Sequence, residues 1–593
     1  MSILSFKNLR SKSNEILKFR CEIYVAKISK IVLERIVKTN LYKEISNTPF
    51  IDDIYIFIQK YLYQEFKTYL SKIFIIRYKK LEPKNFKISI KKEEIFLLLN
   101  NLYKKKINFR NNDNKFLNYI NQLKYFINKY LVFKFFDKNN SNNKYIGVSY
   151  IEGFDYNRKN DLYWYDKKIF KNSDIIIYFQ NNNLKYRHDK KFKGEAVNYF
   201  IKEGIKTVDL KIFQKIYNVE KIQQLKKILT NHQSNSVYEI FLKKILQDFF
   251  KKIEYWYSFF YENNINIDIT HLEIGTDIIA KKIAINLLNG CTVKKIRSYI
   301  TENDPRLIGW YNENIVFAWG NDLAKRLQKT SNKPNSIIIS GYYDNPKIIK
   351  NSHEFTKYTN SFEKNILILD NSWQENNEKD IENGSLQLIY EKDYINFYEK
   401  ILDNFNNKKY GLIIKPKKYS LIKNISKLED YLLNLEKNGR CFIIKDAFQF
   451  PIDNILKVSH SIISIGIFFP TVLIESIIKK QNLNTYYYDY ANLKNKEKKM
   501  YNYLFNQVFF NSLDKLLEKI NLNLSENKNN FGIWENIIES IDAFSDKQGS
   551  IRIASYLKYL RHDLEKHNIK DAIKIANQKY SHKWGKDKSL LLK

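Results

Sequence analysis

Apolar residues in the first part of the chain recur every three or four positions, with lysines and glutamates between them. The stretches EIYVAKISKIVLERIV and IYIFIQKYLYQEFKTYLSKIFIIRY show this spacing most clearly. It is the spacing of amphipathic helices, so we predict a helical region over residues 1–140. A basic, aromatic-rich helix of this kind could lie on a membrane surface, but packing against the neighbouring domain is the more common arrangement.

From Tyr145 the pattern changes to short apolar runs that alternate with helical segments, which predicts β-α-β units and a parallel sheet. A polar stretch from Asn345 to Asn365, which we expect to be irregular, separates this series from a second one that begins at NILILDNSW. We therefore predict an α/β fold with two doubly wound, Rossmann-like domains that face a cleft. The predicted domains span residues 141–355 and 356–543, and residues 544–593 are expected to form C-terminal helices.

The most apolar stretch of the chain is SHSIISIGIFFPTVLIESIIKK, from Ser459 to Lys480. Its uncharged part is barely long enough to span a membrane, and Gly466 and Pro470 interrupt it. A strand buried on both faces, followed by a helix with Pro470 and Thr471 in its first turn, explains both interruptions. Glu475 then lies one turn into that helix, on the face of Thr471.

The start of such a helix offers free backbone N–H groups to a phosphate, and a carboxylate one turn further can accept hydrogen bonds from a ribose diol. By pattern alone, a solvated role for Glu475 on the helix surface is about as good an interpretation, since acidic residues are common in first turns.

The chain has 593 residues, with 100 Lys and Arg against 64 Asp and Glu and a formal net charge of +36. That charge attracts nucleic acid, anionic lipid headgroups and phosphorylated molecules. The lysines are spread along the chain, so a general bias of composition explains them more simply. Cys21, Cys291 and Cys441 are too far apart to indicate a disulfide framework or a cysteine-rich zinc site. The N-terminus lacks the apolar segment of a signal peptide, and we expect a cytoplasmic protein.

Several motifs of metal and nucleotide chemistry are missing from the sequence. It contains no Asp-x-Asp and no His-Glu-x-x-His, and its eight histidines are scattered. A Gly-x-Gly-x-x-Gly or Walker loop is also missing, which weighs against a dehydrogenase or an ATPase. We expect no metal and no cofactor.

Three passages carry a family resemblance. SIISIGIFFPTVLIES resembles the donor-site segment of the GT-B glycosyltransferases that build bacterial surface polysaccharides such as capsule and lipopolysaccharide. IVFAWGNDLAKRL with IIISGYYDNP looks like the end of the N-terminal domain of these enzymes, and GSIRIASYLKYL with ANQKYSHKWGKDK looks like their tail. The resemblance covers the architecture from Tyr145 onward, its motifs are short, and it implies a nucleotide-activated sugar as donor.

The resemblance places the donor-binding residues in the segment after the buried strand. Gly466 and Thr471 are expected against the donor phosphates and Glu475 at the ribose, with Pro470 and Ser476 in the same binding segment.

Two further strand ends contribute to the predicted site. In GLIIKPKK, Lys415 is the candidate cation that stabilises charge on the leaving phosphate, with Lys417 and Lys418 behind it. Ser340 and Gly341 end the last strand of the N-terminal domain and are expected to face the cleft.

The sequence departs from the family where a catalytic base is expected. Related transferases often show a Gln-His-Gly type of stretch after a strand, whereas this chain reads KKIRSYI, with Arg297 and Ser298 at that place. His271 and Glu273, in DITHLEIGTD, are the nearest candidates to accept the proton of the acceptor hydroxyl, although a lone histidine at a strand end is more often structural. Glu152 is an alternative base.

The preferred hypothesis is a metal-independent glycosyltransferase that moves a sugar to a surface-polysaccharide or lipid-linked glycan acceptor. It would act at the cytoplasmic face of the membrane, with peripheral contact to anionic lipid and no nucleic-acid partner. A polyol-phosphate transferase of similar fold is the near alternative, but it would want a histidine pair in the cleft. A nucleic-acid-binding protein would use the basic charge and the many aromatic residues. A transferase-like fold without activity is the third alternative.

Overall fold

The computed structural model describes two parallel-sheet domains with flanking helices, and this confirms the predicted α/β fold class. The described residues are 17–78, 88–90, 95, 98–99, 102, 109–111, 144–150, 162–179, 189–210, 213, 215–270, 275–296, 311–329, 334–343, 353–370, 391–405, 409–417, 419–445, 450, 452–466, 471–480, 483–489, 504–526 and 531–592.

The N-terminal region begins with three helices: α1 (Leu17–Ile36), α2 (Asn40–Ser46) and α3 (Ile51–Tyr78). Two short strands, β1 (Ile88–Ile90) and β2 (Phe109–Asn111), pair in parallel after them. The apolar faces of the helices pack into one core with the helices that cover the first large sheet. Packing against the neighbouring domain is thus the arrangement found for these helices.

The first large sheet has eight strands in the order β16-β9-β8-β7-β6-β3-β4-β5, in which β16 (Ser589–Leu591) comes from the C-terminal part of the chain. Its parallel strands are β3 (Tyr145–Tyr150), β4 (Ile175–Phe179), β5 (Lys206–Asp209), β6 (Ile265–Thr270), β7 (Cys291–Lys295), β8 (Ile315–Ala318) and β9 (Ser336–Ile339). Every residue of β4, β6, β7, β8 and β9 is buried, as expected for parallel strands covered on both faces. A 3₁₀ turn at Asn172–Asp174 precedes β4. The helices of this domain are α4 (Asp189–Lys202), α5 (Glu220–Asn231), α6 (Val237–Glu262), α7 (Asp277–Asn286) and α8 (Asn321–Gln328).

The second large sheet has six parallel strands in the order β12-β11-β10-β13-β14-β15. They are β10 (Lys364–Leu369), β11 (Tyr410–Lys415), β12 (Cys441–Ile443), β13 (Ser461–Gly466), β14 (Asn484–Asp489) and β15 (Phe509–Phe510). The chain leaves β10 toward β11 on one side and later returns to β13 on the other, so strand order reverses between β10 and β13. A crevice at the carboxyl ends of such strands is where doubly wound sheets bind ligands.

The helices of the second domain begin earlier than the sequence indicated. Helix α9 (His353–Asn360) lies inside the stretch that we expected to be irregular. The others are α10 (Glu391–Asn404), α11 (Tyr419–Lys423), α12 (Ser426–Lys437), α13 (Ile452–Val458), α14 (Thr471–Lys479), α15 (Leu513–Glu526) and α16 (Glu535–Ile541).

The C-terminal part of the chain returns to the first domain. Helices α17 (Gly549–Leu564) and α18 (Ile569–Trp584) pack against the eight-stranded sheet, where the rings of Phe317 and Tyr556 lie 5.5 Å apart. After a 3₁₀ turn at Lys586–Lys588, strand β16 (Ser589–Leu591) pairs antiparallel with β9. The sequence predicted the helices but not this strand. None of the described helices combines the length and apolar composition that a bilayer crossing requires.

Candidate functional site

Three strand ends meet at the carboxyl edge of the six-stranded sheet. Leu369, the last residue of β10, pairs with Lys415 of β11 on one side and with Ser464 of β13 on the other. Gly466 is the last residue of β13. The predicted residues Lys415 and Gly466 therefore lie at the same edge, on the two strands that flank β10.

Asp370, which follows β10 directly, is a residue of this edge that the sequence analysis missed. Its Oδ2 accepts hydrogen bonds from the hydroxyls of Tyr394 and Tyr398, the second at 2.8 Å. Its Oδ1 accepts from the backbone N–H of Lys417 at 2.6 Å. Burial raises the pKa of the Asp370 carboxyl, and the tyrosines, the Lys417 N–H and Lys415 oppose that shift. Asp370 thus anchors the turn that directly follows Lys415, the predicted cation at the end of β11.

Helix α14 begins at Thr471, where the sequence predicted a helix start. The side chain of Thr471 and the whole of Pro470 lie outside the described residues. Ser476 is buried, and Lys479 at the other end forms an ion pair with Asp453 at 2.5 Å. The end of α14 is further held by Lys547, whose Nζ donates to the backbone carbonyl of Lys479 at 2.9 Å.

Glu475 lies in the middle of α14 and is half-buried, so it is not a freely solvated helix residue. Burial raises the pKa of its carboxyl above the ordinary value of 4.5. Lys479 and Lys295 oppose this shift, as does a hydrogen bond from the hydroxyl of Tyr342. Lys295 and Tyr342 belong to the first domain, so this carboxylate lies against groups of the other sheet domain.

Lys295 is the last residue of β7 and is 1% exposed. Its Nζ lies 3.2 Å from the centroid of the Tyr343 ring and 4.6 Å from that of the Tyr163 ring. A desolvated ammonium over an aromatic face gains about 2 kcal/mol or more, so the rings fix its position. Lys295, Tyr342 and Tyr343 were not predicted as site residues. The signals in the sequence were their places at the end of a buried strand or shortly after one.

Ser340 and Gly341, predicted to face the cleft, make their described contacts with the returning C-terminal segment. The hydroxyl of Ser340 donates to the carbonyls of Ala318 and Gly341, and its own carbonyl accepts from Arg552 Nε at 2.6 Å. Gly341 has a φ of +76°, and a Cβ placed there would lie 2.9 Å from Arg552 Nη2 and 3.0 Å from Asp542 Oδ1. A contact of either residue with a ligand stays a prediction.

The three candidate bases, His271, Glu273 and Glu152, lie outside the described residues, as do Arg297 and Ser298. Among the residues that the structure describes, no group of three His, Cys, Asp or Glu side chains is arranged to hold a metal ion. The identity of the base therefore stays a prediction.

The arrangement combines positive charge and carboxylate oxygens at one edge of the sheet. The start of α14 offers backbone N–H groups and Lys415 offers an ammonium group that could bind a phosphate. Glu475 offers oxygen atoms that can accept hydrogen bonds from a diol. Both features lie at the edge where β10 and β13 diverge, and Lys295 brings a cation from the facing domain.

Comparison with known proteins shows similarity to the folds of solved structures. No protein-family model and no curated protein matches the chain. Among solved structures, it is similar to UDP-GlcNAc 2-epimerase from Methanocaldococcus jannaschii, with 11% identity over 70% of this chain and 99% of that one and a TM-score of 0.36. The wall teichoic acid polymerase TagF matches with 13% identity over 77% and 100%, at a TM-score of 0.34. A UDP-glucosyltransferase from Polygonum tinctorium matches with 9% identity over 74% and 99%, at a TM-score of 0.35. These values are too low to indicate a common activity.

Proposed function

We propose that the protein is a glycosyltransferase that moves a sugar from a nucleotide-activated donor to a surface-polysaccharide or lipid-linked glycan acceptor. The observation that carries this proposal is the position of Glu475. It is a partly desolvated carboxylate one turn into a helix that starts at the carboxyl edge of a doubly wound sheet, and it faces a second sheet domain. A ribose diol at this carboxylate brings the attached diphosphate to the start of α14.

The roles of the other residues follow from this placement. Gly466 and Thr471 lie against the diphosphate, and Lys415 supplies positive charge from the neighbouring strand. In the reaction, the bond between the anomeric carbon and a diphosphate oxygen breaks, and the electron pair stays on that oxygen. A bond forms between the anomeric carbon and the acceptor hydroxyl oxygen, whose proton passes to His271, Glu273 or Glu152. The helix start and Lys415 stabilise the charge of the leaving group without a metal ion.

The proposed acceptor is compatible with the basic charge of the chain. A net charge of +36 suits an acidic glycan or a lipid-linked acceptor at an anionic membrane surface, reached from the cytoplasm.

The decisive experiment is thermal unfolding of the purified protein with nucleoside diphosphates and nucleotide sugars of each common base. A ligand at 100 times its dissociation constant adds about 2.7 kcal/mol to the free energy of unfolding, so a donor gives a clear shift in Tm. Glu475→Ala should lose that shift. Glu539→Ala, which removes an exposed glutamate from α16 of the same domain, should keep it.

Two outcomes would contradict the proposal. The first is that no nucleotide shifts the Tm, while the protein binds DNA or RNA with an affinity that falls steeply as the salt concentration rises. This result would indicate a nucleic-acid-binding protein. The second is turnover of a nucleotide-activated polyol phosphate but of no nucleotide sugar, which indicates a polyol-phosphate transferase.

A further inference from the structure

A groove opens to solvent on the outer face of the helix pair α17 and α18, and none of its residues belongs to the proposed donor site. Its volume is about 650 Å³, within the range of about 300–1,000 Å³ that is typical of small-ligand sites. The residues that line it are Tyr559 of α17 and Gln578, Lys579, His582 and Lys583 of α18. No acidic side chain is among them, so the lining is basic.

Helical periodicity explains why four residues of α18 share the groove. Gln578 and His582 are four residues apart, as are Lys579 and Lys583, so they form two adjacent rows on one face of the helix. The opposite face carries the buried Tyr580, whose hydroxyl donates to the last backbone carbonyl of β9 at 2.9 Å. This hydrogen bond fixes the turn of α18 that carries the groove to the carboxyl edge of the first sheet.

Two of the lining side chains are held in place by the protein. Tyr559 is half-buried and packs against the core between the helix pair and the sheet. The Nζ of Lys579 forms an ion pair with Asp563 at 2.6 Å, and the side chain of Asp563 is 3% exposed. The ring of Tyr559 and the aliphatic stem of Lys579 therefore form a fixed apolar surface in the groove, while the charge of Lys579 is balanced within the protein.

The other three side chains are exposed and can reach a ligand. The Nζ of Lys583 lies 5.0 Å from the centroid of the Trp584 ring, and this neutral ring leaves its positive charge in place. The amide of Gln578 offers hydrogen-bond donors and an acceptor, and so does the neutral imidazole of His582. The groove thus combines an aromatic surface, hydrogen-bonding groups and an exposed positive charge.

This combination suits a saccharide that carries acidic groups. The ring of Tyr559 can pack against the C–H face of a sugar, and the amide and imidazole can bond to its hydroxyls. Lys583 can pair with a carboxylate or phosphate of the same chain. A nucleic acid or a lipid surface needs a more extended basic face, whereas the exposed acidic residues Glu565 and Asp571 interrupt the positive charge of this helix pair.

We propose that the groove binds a segment of an acidic glycan chain, outside the site of sugar transfer. The choice of a glycan rests on the proposed function, to which the groove adds a second binding site for the acceptor. An acceptor chain held at a second site keeps its end at a raised local concentration near the site of transfer.

The test is calorimetric titration of the full chain with hexagalacturonate, a linear acidic oligosaccharide, and with its uncharged methyl ester. Lys583→Gln should weaken hexagalacturonate binding about 3- to 5-fold, the effect of one exposed ion pair, and leave binding of the methyl ester unchanged. Tyr559→Leu should weaken binding of both probes about 3- to 10-fold because it removes the aromatic ring, and Tyr559→Phe should bind both like the parent. If Tyr559→Leu does not fold, Gln578→Ala changes an exposed side chain and should also weaken both probes.

Lys570→Gln is the matched control. It removes an exposed lysine from the first turn of α18, outside the groove, and lowers the net charge by the same amount as Lys583→Gln. It should bind hexagalacturonate like the parent, because exposed charges at a distance are screened by salt. An equal loss of affinity in the two variants would show a general effect of charge and overturn the inference.

The inference is also overturned if the parent does not bind hexagalacturonate, or if the groove variants leave that binding unchanged. Tighter binding of a DNA oligonucleotide or of phosphatidylglycerol vesicles, lost in Lys583→Gln, overturns it as well, because the groove would then hold a different polyanion.

The shift in Tm with nucleotides tests the proposed function separately, and the groove variants should keep that shift. A nucleotide shift without hexagalacturonate binding leaves the proposed function standing and removes only this inference. Hexagalacturonate binding in the groove without any nucleotide shift supports the glycan site and contradicts the proposed transferase.

Discussion

The hydroxyl of Tyr342 hydrogen-bonds the carboxylate of Glu475, although the two residues belong to domains built on different sheets. The proposed partner of the ribose is therefore engaged by a group of the facing domain. A nucleotide has to displace that hydroxyl before its ribose can bind.

Tyr342→Phe should consequently tighten nucleotide binding. The variant keeps the ring, which packs against Trp319 with centroids 5.1 Å apart, and removes only the competing donor. We expect an affinity about 2- to 10-fold higher, the worth of one ordinary hydrogen bond, in titrations at pH 8. Tyr343→Phe is the control and should bind like the parent, because its ring over Lys295 is unchanged. Weaker binding by Tyr342→Phe would show that the hydroxyl contacts the ligand.

Glu475→Gln should stabilise the protein, and this stabilisation relative to the parent should increase as the pH rises. Because burial raises the folded-state pKa of Glu475 above 4.5, the folded protein holds this proton more tightly than the unfolded chain. As the pH rises from 4.5 through the folded-state pKa, the free energy of unfolding of the parent falls because Glu475 ionises. Glutamine does not ionise, so the free energy of unfolding of the variant does not fall for this reason.

The measurement is the difference in Tm between Glu475→Gln and the parent from pH 4 to pH 8, in which effects of the overall charge cancel. The difference in Tm should be smallest at pH 4 and should increase as the pH rises. The Glu475→Gln variant should fail to bind nucleotide over the whole pH range. A difference that is constant or narrows with pH would contradict the raised pKa.

Gly341→Ala should destabilise the protein more than Gly204→Ala. Both glycines have positive φ, +76° and +73°, so alanine meets the same backbone strain at each. A Cβ at Gly204 meets nothing within 4 Å, whereas a Cβ at Gly341 meets Arg552 and Asp542. We expect an additional cost of about 1–3 kcal/mol at Gly341 from this overpacking, measured by urea unfolding. Equal costs would mean that the C-terminal segment moves aside freely.

Asp370→Ala should be much more costly than Tyr398→Phe. The first change removes the shared acceptor of two buried tyrosine hydroxyls and of the N–H of Lys417, and the loss of a buried group's acceptor costs roughly 1–3 kcal/mol. The second removes a single hydrogen bond, worth about 1 kcal/mol. We further expect Asp370→Ala to weaken diphosphate binding, because the turn that follows Lys415 loses its anchor. Urea unfolding and titration with nucleoside diphosphates measure the two effects, and similar costs for both variants would contradict the role of Asp370.

The sheets could be predicted because their signal is local. The run from Ser461 to Gly466 is uncharged and mostly apolar, and each of its residues is buried. Its helix begins at Thr471, as the sequence predicted, and Gly466 lies at the carboxyl edge. Lys415 was chosen from the family resemblance and lies at the same edge.

The rest of the site depends on contacts between distant parts of the chain. Asp370 could be read as an acid after a buried strand, but its partners Tyr394 and Tyr398 lie on a helix whose orientation the pattern does not fix. Lys295 was one lysine among many, and only the folded chain brings it opposite Glu475. Strand β16 has three residues, which is too short for any periodicity to show.

The pairing of β16 with β9 also bears on the order in which the protein can form during synthesis. All other strands of the eight-stranded sheet precede residue 340, but its last edge strand is translated only after the complete second domain. On the ribosome, β9 stays an open edge while the six-stranded sheet is made, and open edges invite wrong pairing. The first domain to be synthesised is therefore the last to be completed.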